Sequence, residues 1–144
     1  EGFAAQAVAN ADNAMGTEDV ITCATMSPEP LVRGSLLKQD THVDVVGAFR
    51  PDMPETDDET VRRARIFVDT REGALAEAGD LLLPIACGVI GEVNVLGDLI
   101  GLCKGKLAGR TSADEITMFK SVGTAIEDWA AAVLAYEAIA DQAT

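Results

Sequence analysis

The chain is poor in the residues that most often announce a catalytic or metal site. It carries one histidine, three cysteines and few aromatics (4%), against 24 acidic and only 11 basic residues. The histidine, His42, opens a strand-like run, which is the wrong end of a strand for a site, and is read as structural. No Ser-His-Asp group and no metal cluster can be assembled around it. Cys23, Cys87 and Cys103 are odd in number, form no C-x-x-C pair and have largely apolar or glycine neighbours. That excludes a disulfide framework or zinc site and is read as reduced thiols in a cytoplasmic protein. A net charge of −13 argues against a nucleic-acid partner, because phosphate contacts need clustered Lys and Arg. No apolar run reaches the roughly 18 residues of a membrane span. The chain opens at Glu1 rather than methionine, so the lack of a secretory signal excludes nothing.

Phosphate loops are also missing. No strand leads into G-x-G-x-x-G, and in GKLAG the lysine is not followed by Ser or Thr. Gly97, Gly101, Gly105 and Gly109 recur at four-residue spacing, but Asp98, Lys104 and Lys106 interrupt any membrane helix interface. A short helix near 96–103 followed by a loop is the reading adopted there.

What is present fits one globular unit: 144 residues, 48% hydrophobic, with a core that Ala, Val, Ile and Leu must fill. The alanine-rich FAAQAVANADNAM predicts a helix ending near Gly16. DVITCAT (19–25), HVDVVGA (42–48) and RIFVDT (65–70) predict strands. Thr56-Asp57-Asp58-Glu59 has the T-x-x-E pattern of a capping box and opens a helix to about Arg63 or Ala64. A further helix runs over 71–78 to a glycine stop. Ser112-Ala113-Asp114-Glu115 repeats the S-x-x-E pattern, EITMFKSVG reads as a strand, and 124–140 as a strongly amphipathic final helix. Short apolar strands alternating with helices imply an α/β fold with a parallel sheet covered by helices.

Ligands of such sheets bind beyond the carboxyl ends of the strands. Two strand ends carry suitable chemistry. In VGAFRP, glycine at position 47 permits close approach of a flat ligand, and Arg50 is a fixed charge for a carboxylate or phosphate. In FKSVG, Lys120 and Ser121 meet the start of the final helix, which favours negative charge or polar ligand atoms. Asp57, Asp58 and Glu59 are read as a solvated helix start, not a cation site.

The stretch VGAFRPDMPETDDETVRRARIFVDTREGALAEAGDLLLPI, together with GRTSADEITMFKSVGTAIED, resembles the ornithine cyclodeaminase and mu-crystallin family over roughly 19–136. The resemblance implies a Rossmann-like sheet that binds NADPH or NADH in a homodimer. It also implies that this chain is the C-terminal part of such a protein. Residues 1–121 would be the second half of the nucleotide domain. Residues 122–144 would pack on a substrate and dimerisation domain formed by a missing N-terminal half. That half would supply the glycine-rich loop, and without it a sheet edge and an apolar helix face would stay uncovered.

Carried over residue by residue, Thr25, Val46, Gly47, Ala48, Phe49 and Ser121 would contact the cofactor, and Val122 and Arg50 the substrate. Cyclodeaminases keep an aspartate where this chain has Phe49, and a cofactor-contacting lysine where it has Met53. A phenylalanine cannot move protons or activate water, so no residue is assigned as catalytic. The reading that follows is reduction of a cyclic imino acid, Δ1-pyrroline-2-carboxylate or Δ1-piperideine-2-carboxylate, to L-proline or L-pipecolate. A cyclodeaminase or alanine-dehydrogenase-like activity and a mu-crystallin-like ligand-binding role remain the alternatives.

Overall fold

The computed structural model describes residue 2 and residues 4–140. Five strands form one parallel sheet: β1 (Val20–Cys23), β2 (His42–Val45), β3 (Ala64–Val68), β4 (Val95–Asp98) and β5 (Ile116–Lys120), in the order β1-β2-β5-β3-β4. The α/β fold and the first three strand starts are as the sequence predicts. Cys23, Val45, Lys120, Val68 and Asp98 share one row of the register, so the five carboxyl ends stand level.

One face of the sheet carries the core. Val43, Val45, Ile66, Val68, Ile116 and Met118 alternate inward there. They pack against Val61 of α2 (Asp58–Arg63), Ala74 of α3 (Arg71–Glu77) and Leu81 of α4 (Gly79–Ala86). The opposite face sets His42, Asp44, Arg65 and Phe119 half-buried around Thr117 and Phe67. The hydroxyl of Thr117 lies 2.8 Å from His42 Nδ1 and accepts from Arg110. His42 is thus placed on a sheet face, away from the carboxyl ends.

Several local expectations need correction. Of the predicted first helix only α1 (Asp12–Met15) is helical, capped at Gly16 as expected; Phe3 lies outside the described residues. A segment this short is marginal unless a face of it is packed, and Val8 remains exposed. The helix after Thr56 is capped by Asp57, whose carboxylate accepts from Thr60 N at 2.8 Å, whereas the Thr56 hydroxyl turns inward to Asp80. Glu59 pairs with Arg62 instead of closing a capping box. The segment read as one helix over 96–103 divides into β4 and α5 (Leu99–Cys103), and Asp98 caps the latter through Gly101 N. Ala78 caps the end of α3, and glycine 79, expected as a stop, begins α4, a helix the sequence did not announce. Around Ser112, Glu115 accepts from Thr111 N and Oγ1 in a turn.

The final helix, α6 (Ala125–Ala140), buries none of its residues. Ile126, Trp129, Leu134, Tyr136 and Ile139 are all exposed, and they spread around the helix rather than forming one stripe. At the far edge, β1 pairs among the described residues with β2 alone and leaves Val20 exposed. A groove of about 270 Å³ beside it is lined by Val8, Met15, Ile21, Cys23 and Leu31. Among the described residues no helix is long and apolar enough to cross a membrane.

Candidate functional site

The sheet order makes β1, β2 and β5 neighbours, so their carboxyl ends bring Thr25, Val46–Phe49 and Ser121–Val122 together. Val46 N donates to Cys23 O at 2.8 Å and Ser121 N to Val45 O at 3.0 Å, which fixes the first residue beyond each strand. Thr25, Ser121 and Val122 are half-buried, Gly47 and Ala48 buried, and Val46 and Phe49 exposed. Phe49 is 44% exposed, a large ring standing at a strand end with no core to fill.

Beneath this group lies a buried ionic network that the sequence reading missed. Lys120 points into the packed face, where its ammonium donates to Gly47 O and lies 3.3 Å from Asp80 Oδ2. Oδ1 of Asp80 accepts from Glu55 N, Thr56 N and Thr56 Oγ1, each at 2.8 Å. In turn Glu55 Oε1 accepts from Thr25 N at 2.6 Å and Thr25 Oγ1 at 2.8 Å. Burial raises the Asp80 carboxyl from its ordinary value, against the opposing pull of Lys120 and of the Thr56 and Glu55 donors. Cys23 lies close enough to feel both acids. Burial first, then Glu55 and Asp80, push its thiol up to about 11.

This network changes the meaning of Gly47. A side chain there would overlap Thr25 O and Glu55 Oε1, so the glycine makes room for the protein itself rather than for a ligand. The residue in the left-handed region is Ala48, at φ 50°, whose carbonyl accepts from Gly79 N. A non-glycine residue held there is an uncommon, over-determined conformation of the kind found at ligand clamps.

The second strand end also differs from expectation. Lys120 is sealed from solvent and unavailable to a ligand. The N–H groups of Val122 and Gly123 both donate to Asp69 Oδ2 at 2.8 Å, and Thr124 N donates to Glu127. The start of α6 has therefore drawn the protein's own carboxylates. Arg50, 58% exposed in its side chain, donates twice to Asp52, at 3.1 and 2.9 Å. It stands near the strand-end group already paired.

Two faint signals existed for the missed residues. Asp80 precedes three leucines, and Asp69 follows the apolar run of β3. Glu55 was hidden among the other acids of PETDDE. A concavity of about 480 Å³ between Pro30, Pro54, Asp57, Arg62 and Pro84 shares no residue with the strand-end group.

A family model described as the ornithine cyclodeaminase/mu-crystallin family matches residues 1–143. The chain belongs to that family. It is 45% identical, over 83% of its length, to the Δ1-pyrroline-2-carboxylate reductase of Paracoccus denitrificans. Its fold superposes with a TM-score of 0.90 and 40% identity, over 95% of the chain, on the Thermococcus litoralis Δ1-pyrroline-2-carboxylate reductase in complex with NADH and L-proline. An archaeal alanine dehydrogenase dimer with bound NAD matches over 88% of the chain, with a TM-score of 0.79 and 34% identity. The chain spans 38%, 42% and 39% of these three relatives respectively, well short of their whole length. Within the ornithine cyclodeaminase and mu-crystallin family, the strand-end group built by β1, β2 and β5 is the candidate site.

Proposed function

We propose that this chain forms the nicotinamide-side wall of an NAD(P)H-dependent imine reductase. The substrate is a cyclic imino acid, Δ1-pyrroline-2-carboxylate or Δ1-piperideine-2-carboxylate, and the product L-proline or L-pipecolate. The observation that carries the reading is Phe49, an exposed apolar ring where a deaminating relative needs a carboxylate. The acids nearest these strand ends do not compensate. Glu55 and Asp69 are buried, and both accept N–H and O–H donors from the surrounding loops.

The residues fit one side of a nicotinamide nucleotide. Two hydroxyls, Thr25 and Ser121, a strand-end backbone and an apolar ring are groups on which a flat polar heterocycle can rest. No glycine-rich pyrophosphate loop occurs in the sequence, so this fit covers the nicotinamide side alone. When bound, the cofactor supplies a hydride. The chain supplies position and dryness: Phe49 excludes water from the imine carbon, and Arg50, on exchanging Asp52 for the substrate, holds its carboxylate. Reducing a preformed imine asks for no activated water, and so tolerates Phe49.

The remaining surfaces match partnership with an N-terminal half. The β1 edge and the exposed apolar residues of α6 are what such a half, and a second subunit, would cover. The relative that is an alanine dehydrogenase dimer supports a homodimer. The test is NAD(P)H oxidation by the protein with its N-terminal half supplied, using each cyclic imine in turn. Turnover of either imine supports the proposal. Absence of turnover, with NAD+-dependent ammonia release from L-ornithine or L-alanine, overturns it.

A further inference from the structure

Asp69 follows β3 directly, is 2% exposed, and stands beside the end of β5. Its Oδ2 receives Ser121 Oγ at 2.9 Å and the N–H groups of Val122 and Gly123 at 2.8 Å each, while Oδ1 receives Thr70 N at 2.6 Å. Backbone N–H groups only donate, so Oδ2 is an acceptor. The Ser121 hydroxyl proton must therefore point at it. One lone pair of Ser121 Oγ faces Gly123 N at 3.2 Å. What half-buried Ser121 has left for a ligand is one acceptor site and no donor.

We propose that Asp69 is a positioning residue that fixes Ser121 as a hydrogen-bond acceptor, so that the ligand group seated on Ser121 is an N–H donor. The inference rests on the reading of the strand-end group as a nicotinamide and imino-acid site. Two groups supply that chemistry: the carboxamide NH2 of the cofactor and the ring nitrogen of the imino or amino acid. A carbonyl oxygen would meet only lone pairs.

Two probe pairs remove that donor. Reduced 3-acetylpyridine adenine dinucleotide replaces the carboxamide NH2 of NADH by a methyl group, and tetrahydrofuran-2-carboxylate replaces the protonated ring nitrogen of proline by a neutral oxygen. The accompanying loss of charge is common to wild type and Ser121→Ala and cancels in their comparison. Affinities are measured by fluorescence titration on the protein with its N-terminal half, for wild type, Ser121→Ala, Asp69→Asn and the double variant. A neutral hydrogen bond contributes about 0.5–1.5 kcal/mol, so one preference should shrink about two- to twelvefold in Ser121→Ala. Loss on the nicotinamide pair assigns the donor to the cofactor; loss on the proline pair assigns it to the substrate.

Asp69→Asn should lower the same ratio, since either orientation of the amide turns its NH2 toward N–H donors that Asp69 now satisfies. The double variant should lower the ratio no further than Ser121→Ala. Wild-type ratios in Ser121→Ala overturn the proposal. So does an Asp69→Asn protein whose melting temperature and affinities fall together while the ratio stays fixed. Because the titrations need no turnover, an inactive protein that still binds NADH and keeps the discrimination refutes imine reduction alone. A protein that binds no nicotinamide cofactor refutes both.

Discussion

The ammonium of Lys120 lies 3.3 Å from the carboxylate of Asp80, and neither side chain has any exposed surface. The pair ties the end of β5 to α4, and through Gly47 O to the end of β2. Removing one partner of a buried pair typically costs about 3–5 kcal/mol. Lys120→Met should be the more damaging change, because it leaves Asp80 and Glu55 buried without a cation. Asp80→Asn keeps an acceptor for Glu55 N and Thr56 N. Its cost should be smaller, since burial already holds the Asp80 carboxyl above its ordinary value. Urea denaturation of both variants and the double variant checks the order, with the double costing less than the sum. Lowering the pH should narrow the Lys120→Met deficit, as protonation neutralises the stranded acid.

Gly47→Ala should cost stability and cofactor affinity together, because the added methyl displaces Thr25 O or Glu55. Overpacking of this kind costs about 1–3 kcal/mol. Gly88→Ala is the control: φ is 73° and nothing lies within 4 Å, so only backbone strain of about 1–2 kcal/mol is added. NADH titration should separate the two, with Gly88→Ala binding normally.

Arg50 and Asp52 should move the reaction in opposite directions. If Arg50 holds the substrate carboxylate as proposed, Arg50→Ala removes a charged hydrogen bond of about 1.5–3 kcal/mol and should raise the KM for the imine about tenfold or more. Asp52→Asn frees the guanidinium and should lower that KM. Steady-state kinetics with kcat reported separately is the measurement. An unchanged KM in Arg50→Ala removes this residue from the site.

His42 should make the fold sensitive to mild acid. Burial lowers its pKa below the ordinary 6.5, and Arg110 adds to that while Asp44 opposes it. The unfolded chain therefore takes up the proton first. Stability is full above about pH 6.5 and falls as the pH drops through the lower folded value. His42→Gln, which does not titrate, should flatten urea midpoints measured between pH 7.5 and 5.

The parts of this fold that were legible in sequence are those in which local pattern and global role agree. Three short apolar runs spaced by helix formers gave β1, β2 and β3, and Ile116–Lys120 read as β5. β4 escaped because Val95–Asp98 contains a glycine and runs straight into a helix. α4 escaped because glycine at 79 reads as a stop, whereas here it permits contact with the Met53 and Arg50 carbonyls. The strand-end grouping of Thr25, Val46–Phe49 and Ser121 followed from parallel topology. What supports it did not follow. Side-chain direction at Lys120, the pairing of Asp69 with Ser121, and the partners of Glu55 depend on contacts 25 or more residues apart in the chain.

The strand at the middle of the sheet is the last to be made. β1 pairs with β2 and β3 with β4, and among the described residues Ile116–Lys120 alone joins the two pairs. Two-stranded pieces are marginal alone. Among the described residues the β1–β2 and β3–β4 ribbons therefore stay unjoined until residue 120 has left the ribosome. Halting synthesis before Ile116 should leave a protease-sensitive intermediate, and release of that last strand should trigger folding and assembly of the strand-end site in one step.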